Sequence, residues 1–159
     1  MSWMLVWCAA LSWAAAPLDG TWTLDAKASE SVGPLLELQG VSWATRKAAD
    51  AVVPVLKISV DGQTVTVVST TPKGKTTEVF VADGTPHATA SPDGAPATWT
   101  TRWDGDALVS SRSVTVGDAP ATLTLIRTRA GERLHQDVSL AVQGGPTVRA
   151  RRVFNPTAL

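Results

Sequence analysis

The sequence predicts an all-β protein, a ten-stranded antiparallel up-and-down β-barrel with a helix-turn-helix cap between the first two strands. Three observations predict it: turn signals recur along the chain, β-branched runs lie between them, and one early stretch lacks strand-like alternation. The chain of 159 residues suits one domain. A long up-and-down sheet leaves two exposed edges, and closure into a barrel removes them.

The strand prediction depends on the turns. Glycine-containing pairs such as Asp61-Gly62 and Asp104-Gly105 recur along the chain, and most of the intervals are about 10 to 14 residues, which is typical of an antiparallel meander. Between two of these turns lies a β-branched run, Thr64–Val68. The ten candidate strands begin near residues 20, 54, 64, 76, 86, 97, 107, 121, 132 and 147.

The stretch from Ala26 to Val53 interrupts this pattern. Val32, Leu35 and Leu36 recur at helical spacing, Gly40 interrupts the spacing, and residues 43–52 resume it. We therefore expect two short helices joined at Gly40. Because they fall between the first two strands, they are expected to cover one mouth of the barrel.

The first sixteen residues are predicted to be a signal peptide, which leaves residues 17–159 as the barrel domain. The apolar run 3–16 is too short to cross a hydrocarbon core of about 30 Å, and it ends in three alanines before Pro17. We therefore expect a secreted or periplasmic protein. The run lacks the basic residue that normally opens a signal peptide, so a buried N-terminal helix or strand is the alternative.

Composition excludes several classes of protein. Lys and Arg total 14 and Asp and Glu total 14, so the chain lacks the basic excess of a nucleic-acid binder. The single cysteine cannot form an internal disulfide framework. The two histidines, His87 and His135, share no spacing with a nucleophile or with metal ligands. We therefore expect a non-enzymatic protein without a cofactor or metal, and a monomer.

Specific residues add a resemblance to a known family. The segment Leu18–Leu24, the segment Gly40–Lys47 and the stretch from Pro54 to Val67 resemble the opening of the fatty-acid-binding proteins, within the lipocalin-like calycin group. Arg127 and Arg152 stand where that family keeps its two carboxylate-binding arginines. Phe154 stands where the family has a tyrosine. The resemblance implies a capped barrel that holds a long-chain fatty acid or a similar amphiphile.

Strand alternation indicates which late side chains point inward. If Arg152 does, Val148, Ala150 and Phe154 share its face, while Arg149, Arg151 and Val153 face water. A buried guanidinium needs an anionic partner or well-ordered water, and its planar fork fits a carboxylate. The predicted head-group anchors are Arg127 and Arg152, with Gln136 assisting. Phe154 is also predicted to contact the ligand, although it lacks the hydroxyl group that a tyrosine would offer the carboxylate. The predicted acyl-chain contacts are Val32, Leu35, Leu36, Ala49, Pro54, Leu56, Val138 and Leu140.

Three questions stay open at this point. One of the two arginines could instead stack on Trp22 and close the barrel base. The barrel could be filled by Trp99 and Trp103 and act as a protein-interaction or inhibitor module. A set of basic residues could favour transient contact with a membrane surface or form an ordinary solvated face; this set comprises Arg46, Lys47, Lys57, Lys73 and Lys75.

Overall fold

A computed structural model describes residues 18–91 and 95–158. The ten strands are β1 (Gly20–Leu24), β2 (Val55–Asp61), β3 (Thr64–Thr71), β4 (Gly74–Val81), β5 (Pro86–Ala90), β6 (Pro96–Asp104), β7 (Ala107–Val116), β8 (Ala119–Ala130), β9 (Arg133–Val142) and β10 (Thr147–Pro156). Helices α1 (Gly33–Leu38) and α2 (Trp43–Ala51) lie between β1 and β2. The fold prediction is confirmed. The predicted signal peptide, residues 1–16, lies outside the described residues.

The ten strands form one antiparallel sheet in the order β4-β3-β2-β1-β10-β9-β8-β7-β6-β5. Strand β1 pairs with both β2 and β10, so the first and last strands of the chain are neighbours in the sheet. The remaining opening lies between β4 and β5, where the Val79 amide donates to the Thr89 hydroxyl at 2.9 Å. The result is a nearly closed up-and-down barrel.

A large hydrophobic cluster, which we call the base cluster, fills part of the barrel interior. Trp22 is 2% exposed in this cluster, and its indole N–H donates to the Leu18 carbonyl at 3.0 Å. Trp99 is buried in the same cluster, where it meets Phe80 edge-on with ring centroids 5.7 Å apart. Trp103 is partly buried and packs against them. The two tryptophans that could fill the barrel therefore lie in this base cluster or against it.

The two cap helices pack against the barrel to different extents. Leu35 of α1 is 3% exposed and packs with Leu140 and Ala150 in a second hydrophobic cluster. Helix α2 buries none of its residues. Asp50, near the end of α2, accepts hydrogen bonds from the Ser31 hydroxyl and the Val32 amide, which ties the two helices together. Helix α1 therefore seals its side of the barrel, and α2 covers the opposite side more loosely.

The expectation that Val153 faces water, like Arg149 and Arg151, is wrong, because Val153 is only 5% exposed. The chain after β1 runs beside β10, and the Asp25 amide donates to the Val153 carbonyl at 2.8 Å. The Val153 amide in turn donates to the Ser29 hydroxyl at 2.8 Å. This irregular segment covers a position that strand alternation alone leaves exposed.

Across residues 18–91 and 95–158, neither helix has the length or the apolar character needed to cross a lipid bilayer.

Candidate functional site

A cavity of about 600 Å³ lies between the cap helices and the base cluster. Its lining combines apolar residues of the cap and wall with charged residues from β4, β8 and β10. Nine of the twelve residues predicted to contact a ligand line it: Val32, Ala49, Pro54, Leu56, Arg127, Gln136, Val138, Arg152 and Phe154. A cavity of this size is within the range of small-molecule sites in proteins, about 300–1,000 Å³.

The other three predicted acyl-chain contacts lie elsewhere among the described residues. Leu35 and Leu140 pack in the second hydrophobic cluster, beside the buried Ala121. Leu36 is partly buried on α1. Helical and strand periodicity correctly placed Leu35 and Leu140 in the interior. It could not tell which part of the interior is packed solid and which part is a cavity.

Arg127 is the most deeply buried charge in the site, with 3% of its surface exposed. Its Nε donates to Gln136 Oε1 at 3.1 Å, and its guanidinium lies 5.0 Å from the centre of the Phe80 ring. One terminal nitrogen, Nη1, is buried and has no hydrogen-bond partner among the described residues. Burial lowers the pKa of Arg127 to about 10, although the nearby charge of Glu78 opposes this shift.

Gln136 lies between the two predicted anchoring arginines. On β9 it is directly opposite Arg127 of β8 and directly opposite Arg152 of β10. Arg152 is 8% exposed, and burial lowers its pKa while the charge of Asp50 raises it. Because neighbouring strands lie about 4.8 Å apart, the two guanidinium groups come from strands about 10 Å apart. Strand register thus brings together the two arginines and the amide that the sequence analysis selected.

The arginine that stacks on Trp22 is neither of these two. Arg129 lies with its guanidinium 5.6 Å from the centre of the Trp22 ring, and its Nε donates to the Gly131 carbonyl at 3.1 Å. Arg127 and Arg152 both line the cavity instead. Arg129 shares the inward face of β8 with Arg127 but lies two residues further along, at the level of the base.

Two charged residues of the interior, Glu78 and Arg112, were not predicted from the sequence. Glu78 of β4 lines the cavity, and burial raises its pKa more than the charges of Arg127 and Arg112 lower it. Arg112 of β7 lies 5.4 Å from the centre of the Trp99 ring. Alternation contained the signal for Glu78, because it lies two residues before the buried Phe80.

The mouth of the cavity lies between the end of α2 and the turn that joins β3 to β4. Ala49 and Val52 line it from the cap, and Lys73 of the turn and Lys75 of β4 line it from the opposite hairpin. Lys57 is exposed on β2. Two of the five basic residues noted in the sequence therefore lie at the mouth.

Within the described ranges, no three His, Cys, Asp or Glu side chains lie close enough together to hold a metal ion.

No protein-family model matches the sequence, and no curated protein matches it. Solved structures do match. The REP1-NXSQ fatty acid transporter is 25% identical with a TM-score of 0.68, and the alignment covers 89% of this chain and 97% of that one. A Schistosoma mansoni fatty acid binding protein in complex with arachidonic acid is 19% identical with a TM-score of 0.69, covering 91% of this chain and 98% of that one.

A third similar structure is the zebrafish ileal bile acid-binding protein complexed with cholic acid. It is 16% identical, has a TM-score of 0.69, and covers 87% of this chain and 98% of that one. The chain therefore has the fold of the fatty-acid-binding proteins, as the resemblance in its sequence implied.

Proposed function

We propose that the protein binds and carries a long-chain fatty acid, or a similar small hydrophobic anion, inside the capped barrel without catalysing a reaction. The observation that carries this proposal is Arg127, a buried cation on a largely apolar cavity wall with one N–H group that no described residue accepts from. A buried, unpaired charge is costly, and a ligand carboxylate removes that cost. The fatty-acid-binding and bile-acid-binding proteins of the same fold support the proposal.

The energetics require both parts of the site. Each buried methylene contributes about 0.8 kcal/mol, so a chain of about twelve contributes about 10 kcal/mol before costs. Association itself costs about 4–15 kcal/mol. Burial of the acyl chain alone therefore need not give tight binding, and we expect the arginines to supply the remaining affinity and to orient the head group.

The alternative of a filled barrel is less well supported. Trp99 and Trp103 point inward, as that alternative requires, but they belong to the base cluster. The cavity of about 600 Å³ remains between this cluster and the cap. Trp99 is 7% exposed, so its indole does not form an exposed patch for a protein partner either. The carrier function therefore fits the interior better than an inhibitor or interaction module does.

Arg152→Ala is expected to weaken fatty-acid binding at least about tenfold, since a charge-assisted hydrogen bond contributes about 1.5–3 kcal/mol. The measurement is displacement of an environment-sensitive fatty-acid probe from the delipidated protein. Arg149→Ala is the matched control, because Arg149 lies on the same strand but is exposed. Equal affinities for the wild type and Arg152→Ala would contradict the anchoring role of Arg152.

Native mass spectrometry of protein purified from its own host would identify a co-purified amphiphile.

We also propose transient contact with a membrane surface through α2. Trp43 at the start of this helix is 66% exposed, and Val53 just after it is 45% exposed. Lys47 is exposed on the same helix. An indole beside basic side chains suits the interface of an anionic bilayer.

Trp43→Ala is expected to slow the transfer of a fluorescent fatty acid to anionic vesicles several-fold while leaving its equilibrium affinity unchanged. The physical reason is that the exposed indole lies on the outer surface of the cap and not in the cavity. Neutral vesicles are the control, because they lack the attraction for Lys47. Identical transfer rates for the variant and the wild type would indicate that these residues form only a solvated face.

The remaining expectations from the sequence are also proposals. We propose that residues 1–16 are removed on export, so that the mature protein is secreted or periplasmic and begins at Pro17. Mass spectrometry of the protein from the host's culture medium or periplasm tests this, and an intact N-terminus would contradict it. We propose a monomer, which light scattering of the purified protein tests.

A further inference from the structure

Glu78 places a carboxyl group on the wall of the same cavity that Arg127 lines. It makes no hydrogen bond and no ion pair within 4.0 Å to any residue of the described ranges. Arg127 Nη1 is buried and also has no partner among them. The cavity wall therefore presents one unmatched acceptor group and one unmatched donor, and these two groups are more than 4.0 Å apart.

The surroundings of Glu78 are positively charged overall. The charges of Arg127 and Arg112 both act on its carboxyl group. Arg152 lines the same cavity, and Lys73 and Lys75 line its mouth. The interior can therefore accept an anionic head group even when Glu78 is ionised. A simple fatty acid satisfies Arg127, but it offers Glu78 no hydrogen and brings a second carboxylate close to it, which is unfavourable at low dielectric.

We propose that this polar end of the cavity selects amphiphilic acids that carry a hydroxyl group within a few bonds of the carboxylate, such as 2-hydroxy and 3-hydroxy fatty acids. The ligand carboxylate accepts from Arg127, and the ligand hydroxyl donates to Glu78. Within the described ranges the two groups form no ion pair with each other, so each keeps hydrogen-bonding capacity for a head group that bridges them. The inference rests on the proposed function, because it names the ligand class of the same cavity.

The test is isothermal titration calorimetry of the delipidated full chain with palmitate, 3-hydroxypalmitate and 16-hydroxypalmitate. The two hydroxy acids are isomers, so they differ only in where the hydroxyl lies. We expect 3-hydroxypalmitate to bind about tenfold more tightly than palmitate, since a hydrogen bond to a charged group gives an effect of this order. We expect no gain for 16-hydroxypalmitate, whose hydroxyl lies at the far end of the chain.

Substitutions at Glu78 assign the preference to its carboxyl group. Glu78→Leu is expected to bind 3-hydroxypalmitate and palmitate with about equal affinity. It is also expected to bind palmitate more tightly than the wild type does. Glu78→Gln keeps an oxygen acceptor of the same shape and is expected to keep part of the preference. Glu132→Leu, at an exposed turn position, makes the same chemical change outside the cavity and is expected to keep all of it.

The outcomes separate this inference from the proposed function. Palmitate binding without a preference for 3-hydroxypalmitate overturns the inference alone. A preference of full size in both Glu78 variants also overturns it. Binding of none of the three acids by the wild type overturns the proposed function and the inference with it.

Discussion

Arg127→Met is expected to weaken palmitate binding about 100-fold and, at the same time, to raise the free energy of unfolding of the ligand-free protein by about 1–2 kcal/mol. The loss of affinity follows from removing the buried donor to the ligand carboxylate. The gain in stability follows because methionine fills a similar volume beside Phe80 without burying a charge. The loss of a favourable charge beside Glu78 opposes the gain, but Glu78 is only half-buried and keeps the influence of Arg112.

Two measurements check this prediction. Calorimetric titration with palmitate gives the affinity, and urea unfolding at pH 7 gives the stability of the ligand-free protein. Arg149→Met is the control, because Arg149 is exposed on the outside of β10. A large fall in stability for Arg127→Met would mean that the Arg127 guanidinium is primarily structural, held by Gln136 and Phe80, and would contradict its role as a ligand anchor.

The pH dependence of the same comparison has a definite sign. The pKa of Arg127 is lowered to about 10 in the folded protein, so between this pH and the ordinary pKa of arginine the unfolded chain binds more protons than the native state. The stability of the wild type therefore gains from this group as the pH rises through about 10. We expect the stability advantage of Arg127→Met to be full at neutral pH and to shrink above pH 10.

The ionisation of Glu78 changes the stability of the protein with pH in the opposite direction. Its folded pKa is raised, so the native state binds more protons than the unfolded chain at pH values just above the ordinary glutamate pKa. Its ionisation therefore costs the folded state stability as the pH rises through this window. The charges of Arg127 and Glu78 therefore both lower the stability of the ligand-free protein. This is the physical reason for expecting a ligand that forms hydrogen bonds with both side chains.

The architecture could be predicted from the sequence because each of its signals is local. Glycine turns, β-branched runs and a helical interruption at Gly40 depend only on neighbouring residues, and Gly40 indeed has a φ of +75° between the two helices. Period-two alternation likewise placed Arg152 and Phe154 on one face of β10, and both are buried. Wherever a regular element continues, parity along the chain determines which side chains point inward.

The extent of the cavity and the covering of β10 could not be predicted from the sequence. They depend on which part of the interior stays unfilled and on a segment without regular secondary structure. Leu140 and Val138 share one face of β9, yet Leu140 packs under α1 and Val138 lines the cavity. Val153 is covered by a segment without regular structure. Glu78 of β4 and Arg127 of β8 are brought to the same cavity by strands that are distant in sequence, and no local pattern records that proximity.

Trp22→Ala is expected to lower the free energy of unfolding by about 3–5 kcal/mol, the range measured when large buried aromatic side chains are truncated. Trp22 is 2% exposed, donates to the Leu18 carbonyl at 3.0 Å and lies under the Arg129 guanidinium. Its removal leaves a void at the point where β1 joins β2 and β10, so it weakens the closure of the barrel itself.

Trp22→Phe separates these contributions, because it keeps most of the apolar contact but loses the hydrogen bond. We expect a smaller loss of about 1–2 kcal/mol for it, measured by urea unfolding of both variants. Since Trp22 belongs to the base cluster and not to the cavity lining, the folded fraction of either variant is expected to bind palmitate as the wild type does. A stability change below about 1 kcal/mol for Trp22→Ala would show that the base tolerates the void by collapsing. A stable variant with much weaker palmitate binding would instead show that the base and the cavity are energetically coupled, and the interior would then have to be treated as one unit.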